Sequence, residues 1–395
     1  LKNKIYLNDL GIINALGYNQ HMILSNLLQG SRKGLKLVTN PQGSFTVAAV
    51  KPDQSPALPY LYDNRLNRLL AHACDQIRAS VDKLISRYGP RRIGVVLGST
   101  DNGSEESLQA LKIYQESGSF PQAYCFYKQE AQNSASFVKE YLGLKSIACN
   151  ISTACTSSAR AFVCARNLLN LGVLDAVITG GADIVSDAIL LGFHSLEAID
   201  PQPCNPFSKN RQGTNLGEGA ALFIVTKDRF AESHINLIGC GESSDAYHIT
   251  APEPEGVEAS KAMYLALNDA GLKAEDIDYI NLHGTGTELN DRMECKATDR
   301  VFKDCPPCSS TKTMIGHTLG AAGAMEIAFC WLILHHNDEE VLLPPHMWDE
   351  EPEEDLPVLN FIPPGFKTKN IHTCMSNSYA FGGCNVSLII AREET

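Results

Sequence analysis

Apolar residues along this chain fall into short unbroken runs and longer periodic ones, and the two kinds alternate. KIYLNDLGII (4–13) reads as strand and turn, and HMILSNLLQG (21–30) as a helix that stops at Gly30. Residues 63–87 carry helical periodicity. RIGVVLGST (92–100) is a short apolar run closed by Gly and Ser, hence a buried strand, and SIACNIS (146–152) is another. A helical pattern opens at Cys155 and runs to Asn170, with Gly172 as its stop. LDAVITGGAD (174–183) is almost uninterrupted apolar, as a strand covered on both faces should be. The second half repeats the style. It gives a helix over 259–272, strand then loop in IDYINLHGTGT (277–287), a helix over 291–302, a long helix over 318–336, and strand, Gly-rich turn and strand over 372–391.

A chain of 395 residues is long enough for a large core and for two or three domains. No Pro-, Gly- or Ser-rich linker divides it. DEEPEEDLP (349–357) is acidic and broken by proline, which predicts a solvated loop. A faint echo links NISTACTSSARAF (150–162) with CMSNSYAFGGCN (374–385), each placing small polar residues after a strand. A formal charge of −12 argues against nucleic acid or an anionic membrane as partner. No apolar run approaches the roughly 20 residues of a membrane span, and FCWLIL (329–334) reads as buried helix. The 13 cysteines are odd in number, show no framework spacing and follow no signal peptide, so a reduced, cytoplasmic setting is expected.

Four stretches suggest chemistry. Cys155 falls where a strand ends and a helix begins, a place whose free amides favour an anion and lower a thiol pKa; a buried small hydrophobe is the alternative. His283 ends an apolar strand and enters HGTGT (283–287), a placement that suits catalysis as well as an ordinary surface loop. In SSTKTMIGHTLGAAGAMEIA (309–328), Lys312 near two histidines would disfavour their protonation, leaving neutral imidazoles to hydrogen-bond a carbonyl oxygen. Glu326 could hold Lys312; otherwise the pair is a surface cation and a solvated helix face. In SYAFGGCN (378–385), Gly382 and Gly383 permit backbone that aims an amide at an oxyanion, with Phe381 as a gate, or form a plain hairpin turn beside a core Phe.

Together these stretches resemble the β-ketoacyl-acyl-carrier-protein synthases of the elongating, two-histidine kind. The resemblance is carried by TACTSSA (153–159), PF--R-G--LGEGAA within 206–221 and SSDAYHIT (243–250). It continues through HGTGT with Asp291 and Glu294, STKTMIGHTLGAAGAMEIA (310–328) and SNSYAFGGCN (376–385). It implies an α/β fold of the thiolase type, a five-layer α-β-α-β-α sandwich of two pseudo-symmetric halves, residues 1–230 and 231–395, with mixed sheets. Cys155 would accept an acyl chain as a thioester, in an oxyanion hole of the Cys155 and Phe381 amides. His283 and His317 would hold the malonyl thioester oxygen during decarboxylation, supported by Lys312 and Glu326. Thr285 and Thr287 match positions that contact the phosphopantetheine arm, and Thr250 is expected with them in substrate binding. Phe381 matches the gate. The implied partners are acyl carrier protein and a second subunit, the same chain or a related ketosynthase-like one; no metal and no free cofactor are implied.

The chain departs from the family in places. Ser208 and Gln212 stand where acidic residues are common, Thr214 replaces an aromatic and Ala380 a frequent Gly, while Arg211 and Glu218 remain. Asp101 and Asn102 align roughly where apolar residues often line the acyl pocket. These departures open a specialised polyketide-like or aryl-polyene-type pathway beside fatty-acid elongation. Three rival readings stand. A chain-length-factor-like, non-condensing subunit would typically lack the nucleophile. A thiolase would use Cys384 as base. CPPC (305–308) could make Cys305 and Cys308 a redox or zinc pair, though a single C-x-x-C is a weak signal.

Overall fold

The computed structural model describes residues 4–40, 43–50, 58–101, 103–230, 233–336 and 340–393. The elements that position the site are, in chain order, β1 (Tyr6–Asn14), α1 (Arg65–Tyr88), β2 (Ile93–Gly98), β3 (Ala148–Ile151), α2 (Ser157–Asn170), β4 (Ala176–Asp183) and β5 (Gly219–Thr226). They continue with β6 (Ile235–Ser244), α3 (Val257–Ala270), β7 (Tyr279–Asn281), α4 (Glu288–Val301), β8 (Cys308–Ser309), α5 (Ala322–His335), β9 (Thr373–Tyr379) and β10 (Cys384–Arg392).

The ten strands form one hydrogen-bonded array in the order β8-β7-β9-β10-β6-β1-β5-β4-β2-β3. It divides into two sets of five that meet through little more than the Tyr6–Asn236 bridge. In the first set β2 runs parallel to β3 and β4, then β5 and β1 follow antiparallel. In the second, β7 runs parallel to β8 and β9, then β10 and β6 follow antiparallel. The two sets therefore share one topology and mix both pairings, as expected for the thiolase-type fold.

Three apolar clusters mark the layers. One seals α1 against the outer face of the first sheet. A second holds α2 and α5 between the sheets. The third packs α3 and α4 on the far side of the second sheet. The order is α-β-α-β-α. Every residue of α5 from Ala322 to Leu334 is buried, which is why its sequence lacks a polar stripe. Phe329, Trp331, Leu332, Ile333 and Leu334 each contribute about 2 kcal/mol of apolar burial. Small residues let the two central helices touch: a Cβ on Gly323 would lie 2.8 Å from the Cβ of Ala159. That approach brings the N-terminal ends of α2 and α5 to one place.

The observed elements depart from the sequence expectations in four ways. Cys155 precedes α2, which begins at Ser157. The strands over 219–226 and 235–244 were not expected, and nor was the two-residue strand β8, whose CPPCSS sequence has no β pattern. The echo paired the wrong segments: the Cys155 turn follows β3, and its topological equivalent follows β8, at 310–328. The hairpin over 374–385 instead corresponds to β4 and β5. Finally, the acidic stretch after residue 348 is the largely exposed loop expected, but ion pairs that the sequence did not announce tie it down. Lys209 pairs with Glu351 at 2.7 Å, Arg211 with Glu353 at 2.8 Å and Arg292 with Asp355 at 2.6 Å. Residue 231, where the second half was expected to begin, lies outside the described residues, as does Asn102.

Candidate active site

Cys155 sits in a turn laced by hydroxyls. Thr156 Oγ1 donates to the Thr153 carbonyl at 2.8 Å, Ser157 Oγ to the Ala154 carbonyl at 2.5 Å, and the Thr153 N–H to Ser157 Oγ at 2.9 Å. These bonds hold Ala154 in the left-handed region, at φ 49°, which a residue with a Cβ adopts only under constraint. The small hydroxylated residues around Cys155 thus build the turn that presents the thiol.

His283 follows β7. Its N–H and that of Gly284 both donate to the Glu294 carboxylate, each at 2.7 Å. Asp291, one turn earlier on α4, accepts from the Phe207 and Gly286 N–H groups. One face of α4 therefore ties down the HGTGT loop. His317 is zipped to the 215–217 segment: its N–H donates to the Asn215 carbonyl at 2.7 Å and its carbonyl accepts from Gly217 at 2.9 Å. Gly316 makes that contact possible, having φ 64° and no room for a Cβ against Leu216.

The three elements converge. His317 Nε2 lies 2.9 Å from Cys155 Sγ. The His283 and His317 rings are 5.3 Å apart at 88°. The Phe381 N–H reaches the Cys155 sulfur. Lys312, 1% exposed, is ion-paired with the equally buried Glu326, donates to the His283 carbonyl at 2.5 Å, and lies 3.4 Å from His283 Nδ1. Lys312 is therefore no surface cation, and Glu326 no solvated face.

Burial sets the electrostatics. It pushes the Cys155 thiol up to about 12, only partly opposed by Lys312 and the Phe381 amide. The sequence expectation of a lowered thiol is corrected here: desolvation of a thiolate outweighs the free amides of α2. Burial, then the Lys312 charge, holds both imidazoles well below 6.5, His283 being lowered further by His317. Glu326 is raised to about 7 by burial, with Lys312 pulling the other way. At neutral pH the site thus holds a neutral thiol and two neutral imidazoles.

A cavity of about 400 Å³ opens from Cys155, His283 and His317 past Thr285, Thr287 and Thr250 to Phe381, Arg211 and Gln212. Thr285 and Thr287 share a 2.9 Å hydroxyl–hydroxyl bond. Thr250 Oγ1 lies 3.3 Å from His248 Nδ1. The Phe381 ring is 37% exposed and stacks on Phe193 with centroids 5.9 Å apart. Ala380 and Gly383 close the hairpin, both glycines of the turn having positive φ. Asp101 does not line this cavity. It is buried and accepts from the Ser104 N–H at the start of the helix over 104–117. Cys384 is absent from the cavity wall. Cys305 Sγ donates to the Pro306 carbonyl and Cys308 Sγ to the Asn360 carbonyl, each at 3.4 Å. Neither joins a set of three possible metal ligands; among the described residues only Cys155, His283 and His317 do.

Two contributors escaped sequence reading. Asp183 ends β4 fully buried and accepts from Ser99, Thr100, Asp101 and Gly320, joining the ends of β2 and α5. An acid closing an apolar strand was the available signal. Glu353 holds Arg211, which also donates to the Ser208 and Glu288 carbonyls at 2.7 and 3.1 Å. With Ser208 and Gln212 in place of acids, the counter-charge for Arg211 comes from the acidic stretch. Nothing local to either segment announces that pairing. Glu218 instead pairs with Arg65.

A thiol, two neutral imidazoles and a donor amide in a thiolase-type fold define a condensing acyltransferase. Models of the beta-ketoacyl synthase N-terminal and C-terminal domains match residues 67–231 and 234–346. The chain belongs to the beta-ketoacyl synthase family. It is 32% identical to 3-oxoacyl-[acyl-carrier-protein] synthase 2 of Coxiella burnetii, over 99% of both chains. It is 34% identical to nodulation protein E of Rhizobium meliloti over 76% of this chain and 75% of that one. Among solved structures, a ketosynthase (ApeO) in complex with its chain length factor (ApeC) from Xenorhabdus doucetiae superposes with TM-score 0.91 at 39% identity, covering 99% and 98% of the two chains. The ishigamide ketosynthase/chain length factor superposes with TM-score 0.90 at 27% identity over the full length of both.

Proposed function

We propose that this enzyme joins an acyl group held on Cys155 to a malonyl unit delivered by acyl carrier protein, releasing carbon dioxide and a 3-oxoacyl product. The observation that carries this reading is the 2.9 Å approach of a neutral His317 Nε2 to the Cys155 thiol. His317 takes the thiol proton as the sulfur attacks the incoming thioester, and the pantetheine thiol leaves. The Cys155 and Phe381 amides receive the developing oxyanion. The extender then binds with its thioester oxygen between His283 and His317. Its bond to the carboxylate breaks, the electron pair enters the enolate, and the enolate carbon displaces the Cys155 sulfur. Burial, and then the charge of Lys312 fixed by Glu326, keeps both imidazoles neutral, so they serve as donors without a formal charge. Thr285, Thr287 and Thr250 line the way in for the phosphopantetheine arm, behind the Phe381 gate. The carbanion comes from decarboxylation, so this route needs neither metal nor nicotinamide.

The partners that fit are acyl carrier protein and a second subunit. Similarity to ketosynthases solved with chain length factors favours a related, non-identical subunit over a second copy. We place the enzyme in the cytoplasm, in fatty-acid or polyketide-like, aryl-polyene-type chain elongation, and assign residues 1–230 and 231–395 to its two halves. The test is product formation from acyl- and malonyl-carrier protein. Wild type should release carbon dioxide and 3-oxoacyl-carrier protein in equal amounts, and His283→Ala should lose both. Carbon–carbon bond formation without malonyl, driven by coenzyme A thioesters alone, would replace this reading with a thiolase.

A further inference from the structure

Tyr379 lines the same cavity as Cys155, His283 and His317. It is the last residue of β9, held in register against Asn385 of β10, so its position is fixed by the sheet. The ring stands edge-on to the His283 ring, centroids 5.8 Å apart at 79°. The side chain is 4% exposed, and its hydroxyl is buried with no hydrogen-bond partner among the described residues. Buried tyrosines elsewhere in the molecule are paired: Tyr62 with Tyr127 at 3.2 Å, and Tyr279 with Ser309 at 2.8 Å.

An orphan hydroxyl on a residue that lines the reaction cavity calls for a partner that arrives with the ligand. The nearby carboxylates are already occupied. Glu294 accepts from His283 and Gly284, and Asp245 from Glu253 and Asn385. Burial and these two acids raise the phenol far above its usual range, so it stays a donor at every working pH. A neutral donor beside His283 suits an oxygen that is or becomes anionic.

We propose that the Tyr379 hydroxyl donates a hydrogen bond to an oxygen of the malonyl extender, making Tyr379 a further catalytic residue of the condensation step. This rests on the condensing function proposed above. The hydroxyl keeps its proton throughout. The carboxylate–carbon bond breaks, carbon dioxide leaves, the pair resides on the enolate, and the enolate carbon forms the new bond as the Cys155 sulfur departs.

Tyr379→Phe removes only the hydroxyl. Acyl loading of Cys155 and its discharge by malonyl-carrier protein are measured separately by intact mass, with melting temperature alongside. Discharge, as kcat/KM for malonyl-carrier protein, should fall about tenfold or more, the size expected for a lost bond to a charged oxygen. Loading should change by less than about twofold, and the melting temperature should hold or rise, because an unpaired buried group has been removed. Equal discharge by wild type and variant overturns the proposal. So does a lower melting temperature with loading and discharge reduced alike, which would mark a structural hydroxyl. A wild type that never loads overturns the condensing reading itself, and the proposal with it.

Discussion

A thiol held at about 12 beside an imidazole held well below 6.5 is a pair in which neither group is charged at rest. In the proposed mechanism the proton moves only when an acyl group arrives. The sign of the histidine shift fixes the pH dependence. A depressed imidazole stays neutral as pH falls through 6.5, and its contribution to folding, present above 6.5, is lost progressively as pH falls from there through the lower folded value. The loading rate should therefore stay level from pH 8 to 6.5 and decline only below it; a half-loss centred at 6.5 would mean that an ordinary imidazole accepts the proton. Asp183 shows the opposite shift, raised to about 7 by burial and by the nearby Asp101. It offers four partners a shared acceptor, so Asp183→Asn should cost about 3 kcal/mol in a denaturant melt, the scale of breaking a buried polar network. Cys155, His283, Lys312, His317 and Glu326 were legible as candidates because each falls beside a strand end or helix start in a recognisable stretch. The raised thiol was not legible, because desolvation depends on what the rest of the chain packs over it.

At the scale of elements, the site depends on short segments that fix larger ones. Gly316 lets the 312–317 turn lie against Leu216, and a Cβ there would meet backbone at 2.7 Å in a conformation that already disfavours L residues. Gly316→Ala should cost about 2 kcal/mol or more and slow loading by displacing His317; unchanged melting and unchanged loading would show that the turn tolerates a methyl group. The acidic stretch was read correctly as a solvated loop, but its partners were not legible, since charge and proline describe solvation and not whom the charges meet. Glu353 bridges Arg292 and Arg211, and Arg211 lines the cavity. Glu353→Gln leaves the buried Arg211 without its counter-charge. It should raise KM for carrier-protein substrates several-fold, at a stability cost of about 1–3 kcal/mol. A KM equal to wild type would make the Glu353 ion pairs a stability feature alone.

Across the whole molecule, two copies of one five-strand topology enclose α2 and α5, and the chemistry lies where those helices begin. The equivalent turns have diverged: the one after β3 presents the thiol, and the one after β8 presents Lys312 and His317. The duplicated strand–helix rhythm was visible in the apolar pattern. The correct pairing of segments was not, because β6 and β8 are too short or too mixed in sequence to count as strands without their neighbours. The central claim is that Cys155 carries the acyl chain and malonyl discharges it. Intact-mass spectrometry after incubation with acyl-carrier proteins, short, long, unsaturated and aromatic, tests it directly. Wild type should gain the mass of one acyl group, Cys155→Ala should gain none, and malonyl-carrier protein should return the loaded protein to its starting mass. No mass gain from any donor in a folded protein would contradict the claim and leave a non-condensing partner subunit as the better description.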